Sequence, residues 1–190
     1  MDARRFAPQR RISIPRFLTN GKALILVGID PGTATTGYGV IEKRGDKVSY
    51  LACGVISTPP SDDAPARLMQ IYDQFNVLLD RYEVDQVATE RLFFTNNVTT
   101  GIPVGRALGV ILLTLAQRGL PWTEYTPTQV KSAVVGTGRA EKKQVQFMVT
   151  RLLGLSEVPK PDDAADALAI AICHAHSVRL GSLVKAGVRG

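Results

Sequence analysis

Ala23-Leu24-Ile25-Leu26-Val27-Gly28-Ile29-Asp30-Pro31-Gly32 is a short apolar run that ends on an acid and a turn. Its length, its Ile and Val content and the Pro-Gly stop read as a buried strand from Ala23 to Asp30. Downstream, Thr36 to Lys43 and Lys47 to Ser57 read as two more strands, joined at Arg44-Gly45-Asp46 as a hairpin. Pro59, Pro60 and Pro65 mark a loop, and Leu68, Ile71, Tyr72, Phe75, Leu78 and Leu79 then follow helical spacing. Gln86 to Thr89 is a fourth strand, which delivers Glu90 at its end. Thr95-Asn96-Asn97 interrupts the chain before a helix over Val104 to Ala116, where Pro103 fits the first turn or a kink. That helix is apolar on nearly all sides, so it belongs in the core or in a subunit interface. Pro121 to Tyr125 is a fifth strand, and helices are expected from Thr126-Pro127 to Val135, from Glu141 to Leu153 and from Pro161 to Val178. A three-strand meander followed by alternating strands and helices predicts an α/β domain, a five-stranded mixed sheet flanked by helices.

One domain is expected over residues 23–180, with a basic, disordered tail at 1–22 and a short tail at 181–190. The net charge of +6 invites a nucleic-acid partner, but it is unevenly placed. Arg4, Arg5, Arg10, Arg11, Arg16 and Lys22 fall in the first tail against Asp2 alone, so bulk charge decides little. That tail reads equally as an arm for phosphates or as inert. No apolar run approaches the roughly 20 residues of a membrane span, and no secretory signal is recognisable. Cys53 and Cys173, neither in a ligand spacing, read as reduced core residues of a cytoplasmic protein. His174 and His176 read as surface residues late in the last helix.

The chemistry lies in the acids. Asp30 and Glu90 sit at strand ends, where α/β sheets gather functional groups. Asp163 and Asp166, three apart on an Ala-, Leu- and Ile-rich helix, share one face. Two carboxylates about 4 Å apart repel by roughly 4 kcal/mol at an effective dielectric near 20, so such a group must protonate or bind cations. Hard oxygen donors select Mg²⁺ or Mn²⁺ over zinc, and two such ions suit phosphodiester hydrolysis. Each acid also has a plainer reading. Asp30 could be a turn residue, Glu90 an ion-pair partner of Arg91, and Asp162 a dipole-stabilising residue at a helix start. Asp166, inside an apolar run, is hardest to explain that way.

Gly28-Ile29-Asp30-Pro31-Gly32, continuing to Thr36-Gly37-Tyr38-Gly39-Val40-Ile41, resembles the opening of the RuvC family of Holliday-junction resolvases. The resemblance continues through Glu90 with Phe93, Gln129-Val130-Lys131 with Val134-Val135-Gly136, and Ala140-Glu141-Lys142 with Gln144-Val145-Gln146. It closes on Asp163-Ala164-Ala165-Asp166-Ala167-Leu168-Ala169-Ile170-Ala171, and so spans residues 24 to about 178 in family order. It implies an RNase H-like fold and a homodimer that nicks four-way junction DNA symmetrically with magnesium, manganese being able to substitute. It also implies a branch-migration motor as partner. By this resemblance Asp30, Glu90, Asp163 and Asp166 are metal ligands, two ions per site, and Lys131 and Lys142 lie near the scissile phosphate. Phe93 is implied to stack on a base, and Arg139, Lys143 and Arg151 make phosphate contact more attractive for that stretch. Three departures stand out: the extra basic tail, Pro103 at the expected interface helix, and little chain after the last helix.

Three rivals are weighed against this reading. A YqgF-type RNA-processing nuclease shares the first-strand motif, but the Gln-Val-Lys and Ala-Glu-Lys segments argue against it. A sugar-kinase or actin-like ATPase needs two such domains, more than 190 residues hold. A junction-binding protein without catalysis would have no need of all four acids.

Overall fold

The computed structural model describes residues 23–92 and 98–187, with the backbone alone for 98–100 and 179–187. Its strands are β1 (Leu24–Asp30), β2 (Thr35–Arg44), β3 (Lys47–Ser57), β4 (Gln86–Glu90) and β5 (Trp122–Tyr125). Its helices are α1 (Ala64–Tyr82), α2 (Val98–Arg118), α3 (Pro127–Val135), α4 (Lys142–Leu152) and α5 (Asp162–Gly187). The sheet order is β3-β2-β1-β4-β5. β1, β2 and β3 form the expected antiparallel meander, whereas β4 runs parallel to both β1 and β5.

Strand alternation sorts the core into two layers. Val27, Ile29, Val40 and Val87 face α1 and α2, packing on Ile71, Phe75, Ile111 and Leu115. Leu26, Ile41 and Ala88 face the other way, onto Leu168 and Ile172 of α5 and Val130 and Val145 of α3 and α4. Caps set the helix starts. Asp63 accepts from the Ala66 amide at 2.8 Å to open α1, and Thr126 and Gln129 form a capping box on α3.

Four expectations need adjustment. α2 begins at Val98, so Pro103 lies inside it and leaves the carbonyl of residue 99 without its helical donor. α5 continues past Val178 to Gly187, through part of the segment expected to be a tail. His174 is buried rather than on the surface, while His176 is exposed as expected. Cys173 is buried but Cys53 only partly so, and both are free. The Thr95-Asn96-Asn97 break and the 1–22 tail lie outside the described residues. Among the described residues, no helix is long and apolar enough to cross a membrane.

Candidate active site

The period of two along β1 and β4 puts Asp30 and Glu90 on the same sheet face as Leu26, Gly28 and Ala88, beneath α5. β1 and β4 run parallel with Ile29 opposite Thr89, so the acids that follow emerge side by side. α5 can lie directly on this face because three strand positions lack a side chain. A Cβ on Gly28 would collide with the Ala167 carbonyl and come within 2.5 Å of the Ala171 amide nitrogen. A Cβ on Gly39, which pairs with Gly28, would come 2.7 Å from Leu168 Cα, and one on Gly37 would strike the Asp163 carbonyl. The alanines of α5 answer these glycines, and the contact carries Asp163 and Asp166 to the sheet end that holds Asp30 and Glu90.

The electrostatics follow from that crowding. Burial, then the charges of Asp166, Asp163 and Glu90, raise Asp30 from 3.8 to about 7, while Lys142 opposes the rise. Glu90 is also raised, by burial first and Asp166 second, with Lys131 opposing. The nearest counter-charge is Lys142, whose Nζ lies 3.0 Å from Asp166 Oδ2 and 3.2 Å from Asp162 Oδ2. Those carboxylates in turn hold the Lys142 ammonium above its usual range. Glu90, Lys131, Lys142 and Asp166 line a cleft of about 320 Å³, with Pro127, Val130, Val145 and Ala169 as its apolar wall.

The plainer readings of the acids fare unequally. Asp30 is no simple turn residue, since it is largely buried among other acids. Arg91 pairs with Glu124 at 2.9 Å rather than with Glu90. Asp162 does lie in the first turn of α5, where it accepts from Gln146 Nε2 at 3.1 Å and pairs with Lys142. Lys131 and Lys142 line the cleft. Arg139, Lys143 and Arg151 are exposed outside it, and Phe93 lies outside the described residues.

Sequence reading missed one supporting network. His174 Nε2 lies 2.8 Å from Gln86 Oε1, and its Nδ1 lies 2.8 Å from the Tyr125 hydroxyl. Gln86 Oε1 can only accept, so Nε2 carries the proton and Nδ1 accepts from Tyr125. Burial lowers His174 to about 4, which keeps it neutral. The network pins α5 to β4 and β5, and hence Asp166 to the strand that carries Glu90. The available signal was Gln86, a polar residue four before Glu90 and therefore on the same inward face.

Hard carboxylate oxygens and raised acid pKa values fit a divalent cation such as Mg²⁺ or Mn²⁺. Both His174 nitrogens are already engaged with Tyr125 and Gln86, so this imidazole offers no free ligand atom. Among the described residues, however, no three such donors are close enough to grip a single ion. The four acids share one end of the sheet without forming a closed coordination cage.

The family model described as crossover junction endodeoxyribonuclease RuvC matches residues 26–174. A protein of that description from Syntrophomonas wolfei is 54% identical over 160 residues, covering 84% of this chain and 93% of its own. One from Desulfitobacterium hafniense is 54% identical over 157 residues, covering 83% and 95%. The structure of T. thermophilus RuvC in complex with a Holliday junction substrate superposes with a TM-score of 0.79. It is 39% identical and covers 83% of this chain and 96% of its own.

Proposed function

The chain belongs to the RuvC family of crossover junction endodeoxyribonucleases, and from that membership we propose that it resolves Holliday junctions by paired, symmetric, metal-dependent nicks. The observation that carries the reading is one cleft end where Asp30, Glu90, Asp163 and Asp166 crowd together with Lys131 and Lys142 beside them. Asp30, Glu90, Asp163 and Asp166 would hold Mg²⁺, two ions per site, with Mn²⁺ as substitute. The chemistry such ions supply when bound is a water activated near neutral pH and a charge shield for phosphate oxygens.

The chain's own groups do the rest. Asp30 and Glu90, held against ionisation by burial and by one another, give up protons when positive charge enters the cleft. Lys131 and Lys142 offset charge that develops on the attacked phosphate. The apolar wall of Val130, Val145 and Ala169 limits the water that can compete for that phosphate. Arg139, Lys143 and Arg151 contact phosphates flanking the cleft, and Phe93 stacks on a base at the opened crossover.

Symmetric nicking calls for a homodimer, and α2 is its interface, because Ile102 and Leu113 stay exposed on the side of the helix away from its packed residues Ala107, Ile111 and Leu115. A branch-migration motor is the proposed partner, and the cytoplasm the proposed compartment.

Replacing Asp166 by Asn removes one acid while keeping its shape. Junction binding should stay within about threefold, while cleavage in magnesium falls by about 10³-fold or more. Near-normal cleavage of a mobile four-way junction by this variant would remove Asp166 from the site. A wild-type preference for structured RNA over the junction would favour the RNA-processing alternative, and junction binding without any cleavage the inactive one.

A further inference from the structure

α4 presents a stripe that the cleft does not use. Lys143, Phe147 and Arg151 follow one another at four-residue spacing, so they stack along one face of the helix, and all three are exposed. Phe147 keeps 60% of its surface open to solvent, although the helix has ample buried positions in Val145 and Val149. Between Lys142 and Leu152 there is no acidic residue, and no described carboxylate pairs with Lys143 or Arg151. Lys142, one residue before the stripe, lines the cleft itself.

An exposed phenyl ring on a helix is usually either inert or half of a contact. Here its neighbours at either side are unpaired cations, and the stripe begins where the cleft ends. We propose that the Lys143–Phe147–Arg151 face of α4 is a ridge that grips the duplex arm leaving the cleft. The two cations meet backbone phosphates about three steps apart, and Phe147 packs against the deoxyribose surface between them. This rests on the junction-cutting reading above and adds Phe147 and a direction for the arm. From Lys142 to Arg151 the helix advances about 14 Å, so the contacts fall within about four base pairs of the cut.

The parts differ in their dependence on salt. Each phosphate-bound cation contributes about one to the slope of log affinity against log salt, and an apolar contact contributes nothing. Phe147→Ala should therefore weaken junction binding about tenfold with an unchanged slope. Lys143→Gln with Arg151→Gln should lower the slope by about two. A junction with uncharged methylphosphonate linkages at the first and fourth phosphates from the cut should bind wild type more weakly and leave the double variant indifferent. The proposal is overturned if Phe147→Ala binds and cuts like wild type, or if the methylphosphonates weaken wild type and double variant equally. Wild type run alongside separates this from failure of the enzymatic reading, since a chain that does not cut junctions fails before any variant is compared. Circular dichroism of Phe147→Ala controls for folding, and the exposed position predicts no change.

Discussion

Asp30 and His174 are both buried ionisable groups, and burial pushes their contributions to stability in opposite directions. Folded Asp30 keeps its proton to about pH 7, whereas an ordinary carboxyl releases it near 3.8. The folded state therefore binds the extra proton in that window, and the stability due to Asp30 falls as pH rises through it. Folded His174 stays neutral down to about 4, whereas a free imidazole takes up a proton near 6.5. Its contribution is full above 6.5 and is lost as pH falls towards 4. The Asp30 effect is on the order of 4 kcal/mol and the His174 effect about 3, so they largely offset each other between pH 4 and 7. Asp30→Asn removes one arm of that balance. In chelator, urea unfolding should give the variant the stability of wild type near pH 4.5 and about 3 kcal/mol more at pH 8. An advantage that does not grow with pH would mean Asp30 is not crowded by its neighbours. Saturating Mg²⁺ at pH 8 should stabilise wild type far more than the variant, because the acid that gains from a cation is gone.

At the scale of elements, the decisive contact is α5 against β1 and β2. Leu24–Asp30 was legible as a strand because its apolar run is short and stopped by Pro31-Gly32, and Asp166 stood out as an acid in an apolar helix. What sequence periodicity could not show was that Gly28, Gly37 and Gly39 face that helix across three residues' worth of missing side chains. A glycine in a strand reads as a weak point or a bulge, and only the pairing of Gly28 with Gly39 turns it into a bed for α5. The boundaries of α2 and α5 were less legible. Pro103 argues locally for a start that the packing of Ala107, Ile111 and Leu115 overrides. The buried state of His174 depends on Gln86 and Tyr125, respectively 88 and 49 residues away, and no local pattern reports them. Gly28→Ala tests the bed directly. The new methyl meets backbone atoms of α5, which cannot swing aside, so stability should fall by about 3 kcal/mol or more. Magnesium affinity, read by isothermal titration, should fall even in preparations that remain folded, because Asp163 and Asp166 ride on the displaced helix. Unchanged stability and magnesium affinity together would show that α5 is not seated as described.

On the scale of the whole molecule, a single cleft cuts one strand, whereas resolution needs two cuts related by symmetry. The sheet separates the two tasks: its α3–α5 face carries the acids and the basic stretch, and its other face carries α2. On α2, Ile102, Arg106, Gly109 and Leu113 lie at i, i+4, i+7 and i+11, which is one stripe, and all four are exposed. Ile102 keeps 48% of its surface open and Leu113 56%, and a Cβ on Gly109 would meet nothing within 4 Å. Such a stripe gains nothing in a monomer, but two copies across a two-fold axis bury it against itself. Leu113→Glu sets a charge on that axis opposite its own copy, a like-charge contact that a dimer cannot hold, while the exposed site lets each monomer fold as before. The proposed α2 interface predicts that sedimentation finds the variant monomeric at concentrations where the wild type dimerises. On a supercoiled plasmid carrying a cruciform, paired nicks by wild type yield linear DNA in one encounter. The variant should yield nicked circles instead, with the carboxylate cleft still able to cut. A variant that stays dimeric and still linearises the plasmid would place the two-fold contact on another surface, and a monomer that still linearises it would uncouple pairing from dimerisation.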